Sequence, residues 1–204
     1  MTSQNSRRQF LSFVASAAGG ALIAVRPAAA SDGVDAVRSY YRELAGLLKQ
    51  ISSASVKERY NRLSPVVSRA FDLNGMARSA VGPGWASLGG EQGRVQAAFA
   101  RLLIANFARR IGDFAGEVFD VDDKAEARGS VFVVKTRISR TGSSPVRIDY
   151  LMRSGKIIDL YFNGTVSEVA TRRAEFAPIL ESGGPKALVA ALEQRGSSLL
   201  GEAA

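Results

Sequence analysis

Neither cysteine nor histidine occurs anywhere in the sequence, and the two absences together remove much chemistry. No disulfide, thiol nucleophile or histidine-based triad can be built, nor any of the usual zinc and transition-metal sites. Carboxylates, lysine and tyrosine are what remain for acid-base work. Tryptophan occurs once, at Trp85. Lys and Arg number 27 against 19 acids, yet they are scattered, with no arginine-rich run and no aromatic-interleaved basic stripe of the kind that reads nucleic acid. Beyond residue 30, no apolar run approaches the roughly 20 residues needed to cross a bilayer core.

What is present begins with an export signal. Arg7 and Arg8 precede an uncharged stretch from Gln9 to Val25, followed by Ala28, Ala29 and Ala30, the order of a cleaved signal peptide. Ser6, Arg7, Arg8, Gln9, Phe10 and Leu11 resemble the twin-arginine signal. The stretch is broken by Gly19 and Gly20 and is short for a permanent anchor. Residues 1–30 are therefore expected to be removed, leaving 31–204 as one domain with one core. Removal of Arg7, Arg8 and Arg26 from the formal +8 leaves about +5, a modest excess that suits visits to anionic membrane surfaces or acidic partners.

Val34, Val37, Tyr41, Leu44, Leu47, Leu48 and Ile51 recur at three- and four-residue steps and predict an amphipathic helix over 34–51. Val56, Tyr60 and Leu63 continue the pattern in a second helix, with Ser64 and Pro65 read as a helix restart. A short helix is expected around Met76 to Ala80, then a turn at Gly82, Pro83 and Gly84, then a long helix from about Glu91 to Phe114. The period then falls to 2 across a strand opened by Val118 and Val121 and strands at 131–138, 146–153 and 156–162. Gly142 to Ser144 and Ser154 to Gly155 are read as hairpin turns. Two helices, 165–181 and 185–200, close the chain around Gly183 and Gly184. The order predicts an α+β fold with a four-stranded antiparallel meander covered by helices.

Phe71, Asp72, Met76, Ala77, Val81, Gly82 and Trp85, with Tyr40, Tyr41, Leu44 and Leu48 before them, resemble the MlaC (toluene-tolerance) family. So do Phe114, Gly116, Glu117 and Phe119, then Val146, Asp149 and Tyr150, Ile158, Asp159, Gly164 and Ser167, and later Arg173, Phe176, Gly184 and Leu188 to Leu192. The wording is most similar to the hopanoid-associated HpnM branch, through Val81, Gly82, Pro83, Trp85, Ala86 and Leu88 and through Glu168, Ala170, Thr171, Arg172, Arg173 and Phe176. One departure is that Lys156, Ile157 and Ile158 stand where the family often has a tryptophan.

The resemblance implies a periplasmic, non-enzymatic lipid carrier without cofactor, exchanging a hopanoid or a phospholipid between an inner-membrane ABC transporter complex and an outer-membrane lipoprotein or exporter, with transient membrane-surface contact and no nucleic acid. It also implies an apolar cavity between sheet and helices. Candidate lining residues are Phe71, Met76, Trp85, Phe99, Leu103, Phe107, Val134, Ile148, Tyr150, Ile158 and Leu160, although ordinary core is the favoured reading for any one of them taken singly. Trp85 is either a gate or, the favoured reading, a plug behind its Gly-Pro-Gly turn. Asp72 reads as a helix cap, and Asp149 and Asp159 as partners for Arg147 or for Arg172 and Arg173. The rival function is a small isomerase of the ketosteroid type, with one of these acids beside Tyr150; a third is an adaptor that carries nothing. The hopanoid likeness leads to an expected preference for a rigid polycyclic triterpenoid, with the missing tryptophan at Lys156 to Ile158 widening the cavity. Intact-mass or N-terminal sequence analysis of periplasmic protein is expected to place the first mature residue near Ser31; retention of residues 1–30 in a membrane fraction would contradict the export reading.

Overall fold

The computed structural model describes residues 27–113 and 116–202. The export reading falls on residues 1–26, outside the described residues, and on 27–30, which form the first turn of helix α1 (Pro27–Ile51). Phe114 also lies outside them. Among the described residues no helix is long and apolar enough to cross a membrane.

Of the apolar stripe of α1, Val34, Val37, Tyr41, Leu44, Leu48 and Ile51 are buried and Leu47 is partly buried. Helix α2 (Val56–Ala70) is started by Ser55, whose hydroxyl accepts from Glu58 N–H, and it runs through Pro65 without the restart expected there. Proline removes one backbone donor, but Leu63, Val66 and Val67 on either side of it are buried on one face, and that packing outweighs the lost hydrogen bond. Helix α3 (Leu73–Val81) begins at Asp72, which accepts from Gly75 N–H at 2.9 Å, the cap that the sequence indicates. A 3-10 segment (Gly82–Glu91) follows, then α4 (Gln92–Arg110) and a 3-10 turn (Ile111–Asp113). The expected long helix thus ends earlier, at Arg110.

The sheet has six strands, not four. Strands β1 (Val118–Val121), β3 (Val131–Ser139), β4 (Val146–Arg153) and β5 (Lys156–Phe162) are the expected antiparallel set. Two short additions escaped the periodicity argument. Strand β2 (Glu126–Arg128) pairs with the start of β3 while β1 pairs with its end, and β6 (Val166–Ser167) pairs with β5. All three residues of β2 are exposed, so its sequence carries no apolar alternation to detect. Backbone hydrogen bonding alone makes it a strand.

Helix α5 (Glu168–Leu200) covers the position of both expected closing helices, and the break between them is real: Gly184 has φ 68 and ψ −166, a conformation open to glycine. Its start is fixed by a buried carboxylate. Asp159, 6% exposed, accepts from Leu160 N–H at 2.8 Å, Val169 N–H at 3.1 Å and the Ser167 hydroxyl at 2.6 Å. It does not pair with Arg172 or Arg173. Arg172 instead holds Glu168 at 2.8 Å and Glu175 at 2.9 Å, and Arg173 donates to Ser79 O at 3.0 Å.

One sheet face is apolar and packs against α1, and the other carries Lys135, Arg137, Arg147, Asp149 and Arg153 together with the buried Val133. Gly33 faces that sheet, where a Cβ would rest in ordinary van der Waals contact with Met152 at 3.7 Å and Val134 at 3.8 Å. Deeper in the helical layer, Phe99 and Phe176 meet edge to face at 6.3 Å and tie α4 to α5. Replacement of Asp159 by Ala strips the acceptor from three donors, two of them buried backbone groups, and is expected to cost about 2–4 kcal/mol in urea unfolding, against about 1 kcal/mol for Ser167→Ala. Equal midpoints for the two variants would refute the central place of Asp159.

Candidate functional site

An apolar pocket of about 260 Å3 opens between the sheet and the helices. Helix α1 supplies Tyr40, Tyr41, Leu44 and Leu48, α2 supplies Leu63, and the end of α4 with the following turn supplies Phe107, Arg110 and Ile111. The opposite wall is the inner sheet face: Ile138 on β3, Ile148 and Tyr150 on β4, and Leu160 and Phe162 on β5. Glu117, Phe119 and Arg140 complete the rim near the sheet edge. Helix α1 meets the sheet near Gly33 and, further along, turns the large side chains of Tyr40, Tyr41, Leu44 and Leu48 to the pocket.

An aromatic cluster forms the inner end. Tyr40 and Tyr41 stack at 5.6 Å, and Tyr150 meets their rings edge-on at 6.2 and 5.8 Å. Phe71 contacts Tyr40 at 5.5 Å and Phe107 at 5.9 Å, and Tyr41 lies 4.8 Å from Phe119. Two of the three buried tyrosines, Tyr41 and Tyr150, hydrogen-bond within the protein. Thr136 donates its single O–H to Ile148 O at 2.7 Å, so in the 2.7 Å contact between Tyr41 and Thr136 the tyrosine donates. Tyr150 in turn hydrogen-bonds to Tyr41. Burial raises the pKa of all three tyrosines above the ordinary phenol value, with the neighbouring phenols adding to the shift at Tyr40 and Tyr150. The interior of the pocket is therefore uncharged, and charge appears only at its rim.

Four of the eleven sequence candidates, Phe107, Ile148, Tyr150 and Leu160, line this pocket. Phe71 lies behind it in the aromatic cluster. Met76, Phe99, Leu103 and Val134 are buried core, and Trp85 is partly buried against that core with its backbone carbonyl accepting from Gln92 at 3.0 Å. Ile158 points away from the pocket because of a bulge: Leu151 pairs with Asp159 but Met152 pairs with Ile157, leaving Ile158 as the extra residue of β5. Simple alternation put 158 and 160 on one face, and the bulge separates them. The contribution of α1 was not identified from sequence, although the adjacent Tyr40 and Tyr41 on a stripe with Leu44 and Leu48 carried a usable signal.

The position of the departure at Lys156 to Ile158 corrects a second expectation. Lys156 is exposed and donates to Arg69 O, Ile157 is buried and bridges to Phe71, and none of the three lines the pocket. A missing ring there does not widen it. The acids also fall away from the pocket. Asp149 follows the outer face of β4, where Arg147 grips it with Nε at 2.8 Å, while Tyr150 points inward. The isomerase arrangement, a carboxylate facing the cavity beside the tyrosine hydroxyl, is not formed by this pair.

A family model described as MlaC protein matches residues 38–194. No curated protein matches the chain. The solved structure of a phospholipid-binding protein from Ralstonia solanacearum, in complex with a phospholipid, has a similar fold, with a TM-score of 0.73 and 19% identity over 82% of this chain and 98% of that one.

The tyrosine geometry sets an alkaline limit. A pKa raised in the folded state contributes stability that is present below the unfolded value of 10.0 and is lost as pH rises above it. Of the five tyrosines, Tyr40, Tyr41 and Tyr150 are expected to ionise only as the protein unfolds above pH 10, in step with loss of near-ultraviolet circular dichroism. A smooth titration of all five in the folded protein would contradict their burial.

Proposed function

Because this chain belongs to the MlaC family, we propose that it is a periplasmic lipid carrier that takes acyl chain into the pocket beneath α1 and hands it between inner- and outer-membrane transport components. The observation that carries this reading is the pocket itself, with an uncharged interior between sheet and helices and charged residues only at the rim. Each methylene moved out of water contributes about 0.8 kcal/mol, so a membrane lipid crosses an aqueous space only inside such a lining. The phospholipid held by the Ralstonia solanacearum protein of similar fold adds support. An adaptor that carries nothing has no use for this pocket, and an isomerase needs a carboxylate inside it, whereas Glu117, the acid among its lining residues, sits at the rim 3.6 Å from Arg140.

At about 260 Å3 the pocket lies below the roughly 300–1,000 Å3 of ordinary small-molecule sites. It accepts part of a flexible chain as it stands, and a whole lipid requires α1 and the β1 edge to part. Tyr41, Glu117 and Phe119 also line a second groove, of about 590 Å3, between α1 and β1. Displacement of the half-buried Phe119 ring joins the two spaces.

Two ligands suit the reading unequally. The likeness to the hopanoid-associated branch favours a triterpenoid, but a fused-ring body must enter at full width. An acyl chain threads a narrow slot one methylene at a time, so the pocket favours phospholipid. Native mass spectrometry of protein purified from its host is expected to show co-purified lipid, and Ile148→Trp, which fills the pocket from a half-buried wall, is expected to lower its occupancy at least about tenfold. A lipid-free native protein, or a variant that binds as well, would refute the site. Competition between labelled hopanoid and labelled phospholipid decides between the ligands.

A further inference from the structure

We propose that a groove on the outer side of the sheet, remote from the apolar pocket, docks an acidic segment of a partner protein, in which an aliphatic side chain lies between two carboxylates.

The groove, of about 640 Å3, lies between the outer face of β4 and β5, helix α3 and the start of α5. It shares no lining residue with the pocket. The pocket reaches the opposite end of the same two strands, where Ile148 pairs with Phe162, so a partner seated in the groove leaves the pocket mouth free.

The floor is aliphatic because of the bulge in β5. The extra residue turns Ile158 away from the pocket, and it joins Leu151 in the groove. A bulge re-aims a side chain at the cost of a ladder position. Both residues remain only half-buried, so each has apolar surface still to lose to a partner.

The rim is basic. Arg78 on α3 and Arg153 at the end of β4 line the groove and are exposed. Among the described residues neither side chain forms an ion pair or a hydrogen bond. Arg173 adds a third positive charge beside Gly82 of the groove wall, with Nε donating to Ser79 O at 3.0 Å. The two acids of the lining are already engaged. Asp72 accepts from Gly75 N–H at the start of α3, and the buried Asp159 accepts from Val169 N–H at the start of α5; helix N-termini offset the charge of both. What the groove presents to solvent is therefore the arginines, whose planar forks match carboxylates. A recessed aliphatic floor is out of reach of a flat bilayer surface, which favours a peptide. In an extended peptide, residues two apart fall on one side, which sets an aliphatic side chain between two carboxylates over such a floor.

The test uses the full mature protein and two capped pentapeptides, one with glutamate at both ends, leucine in the middle and serine between, the other with glutamine in place of glutamate. The acidic peptide is expected to bind about tenfold tighter at low salt, the size of one charge-assisted hydrogen bond at an exposed rim, and the difference is expected to shrink as ionic strength rises. Arg78→Gln combined with Arg153→Gln is expected to bring the ratio below about threefold while lipid binding stays unchanged. Ile158→Ala is expected to weaken both peptides at least about threefold and to leave their ratio alone; thermal unfolding of each variant reports on folding. Equal binding of the two peptides by the native protein, no binding of either, or an unchanged ratio in the double variant would overturn the proposal. Binding to phosphatidylglycerol vesicles that depends on Arg78 and Arg153 when the acidic peptide does not compete would assign the groove to a membrane surface and also overturn it. A native protein that binds the acidic peptide but no lipid would refute the carrier reading and leave the groove standing.

Discussion

The seating of α1 on the inner face of the sheet is the constraint from which the pocket, the polarity of the sheet and the proposed function all follow. At Gly33 the helix lies against Val134 and Met152, where a Cβ would make ordinary van der Waals contact. Further along, Tyr41 is pinned to the sheet through Thr136, while Leu44 and Leu48 face Ile138 and Ile148 across a space that they do not fill. A helix held at one end and propped by rings in its middle leaves a gap beyond them. Packing at ordinary interior density would close such a gap; here it is bordered by side chains from α1, α2, the end of α4 and the sheet.

The same arrangement separates chemistry from cargo. Ile148 and Tyr150 of β4 face the pocket and are apolar or phenolic; Arg147 and Asp149 pair on the outer face. Asp159 is buried, but its carboxylate accepts from Leu160 of its own strand and from Ser167 and Val169 at the start of α5. The acids that looked most like catalysts in the sequence are thus structural. Burial keeps the three pocket tyrosines protonated, and a neutral hydrogen-bonded phenol cluster is a compatible neighbour for an acyl chain in a way that an ionised group is not. Family membership and the pocket point the same way, toward binding rather than catalysis.

Much of this molecule was determined by its sequence alone. The α+β order, the major strands, the caps at Ser55 and Asp72 and the break at Gly184 are local properties: side-chain period, side-chain-to-backbone hydrogen bonds and glycine's access to positive φ depend on neighbours a few residues away. Where tertiary contacts outweighed local preference, the reading from sequence failed. Pro65 lies within a helix because burial on both sides of it holds the helix together. Strand β2 has no apolar pattern because nothing covers it, and the extra residue of the bulge turned Ile158 to the opposite face from Leu160. Which large apolar residues border empty space and which fill the core was likewise decided only in three dimensions. Phe99 and Phe107 sit on one helical stripe in sequence, yet one is sealed against Phe176 on α5 and the other faces the pocket. That difference arises from what packs opposite each of them, often more than 70 residues away, and no window along the chain contains it.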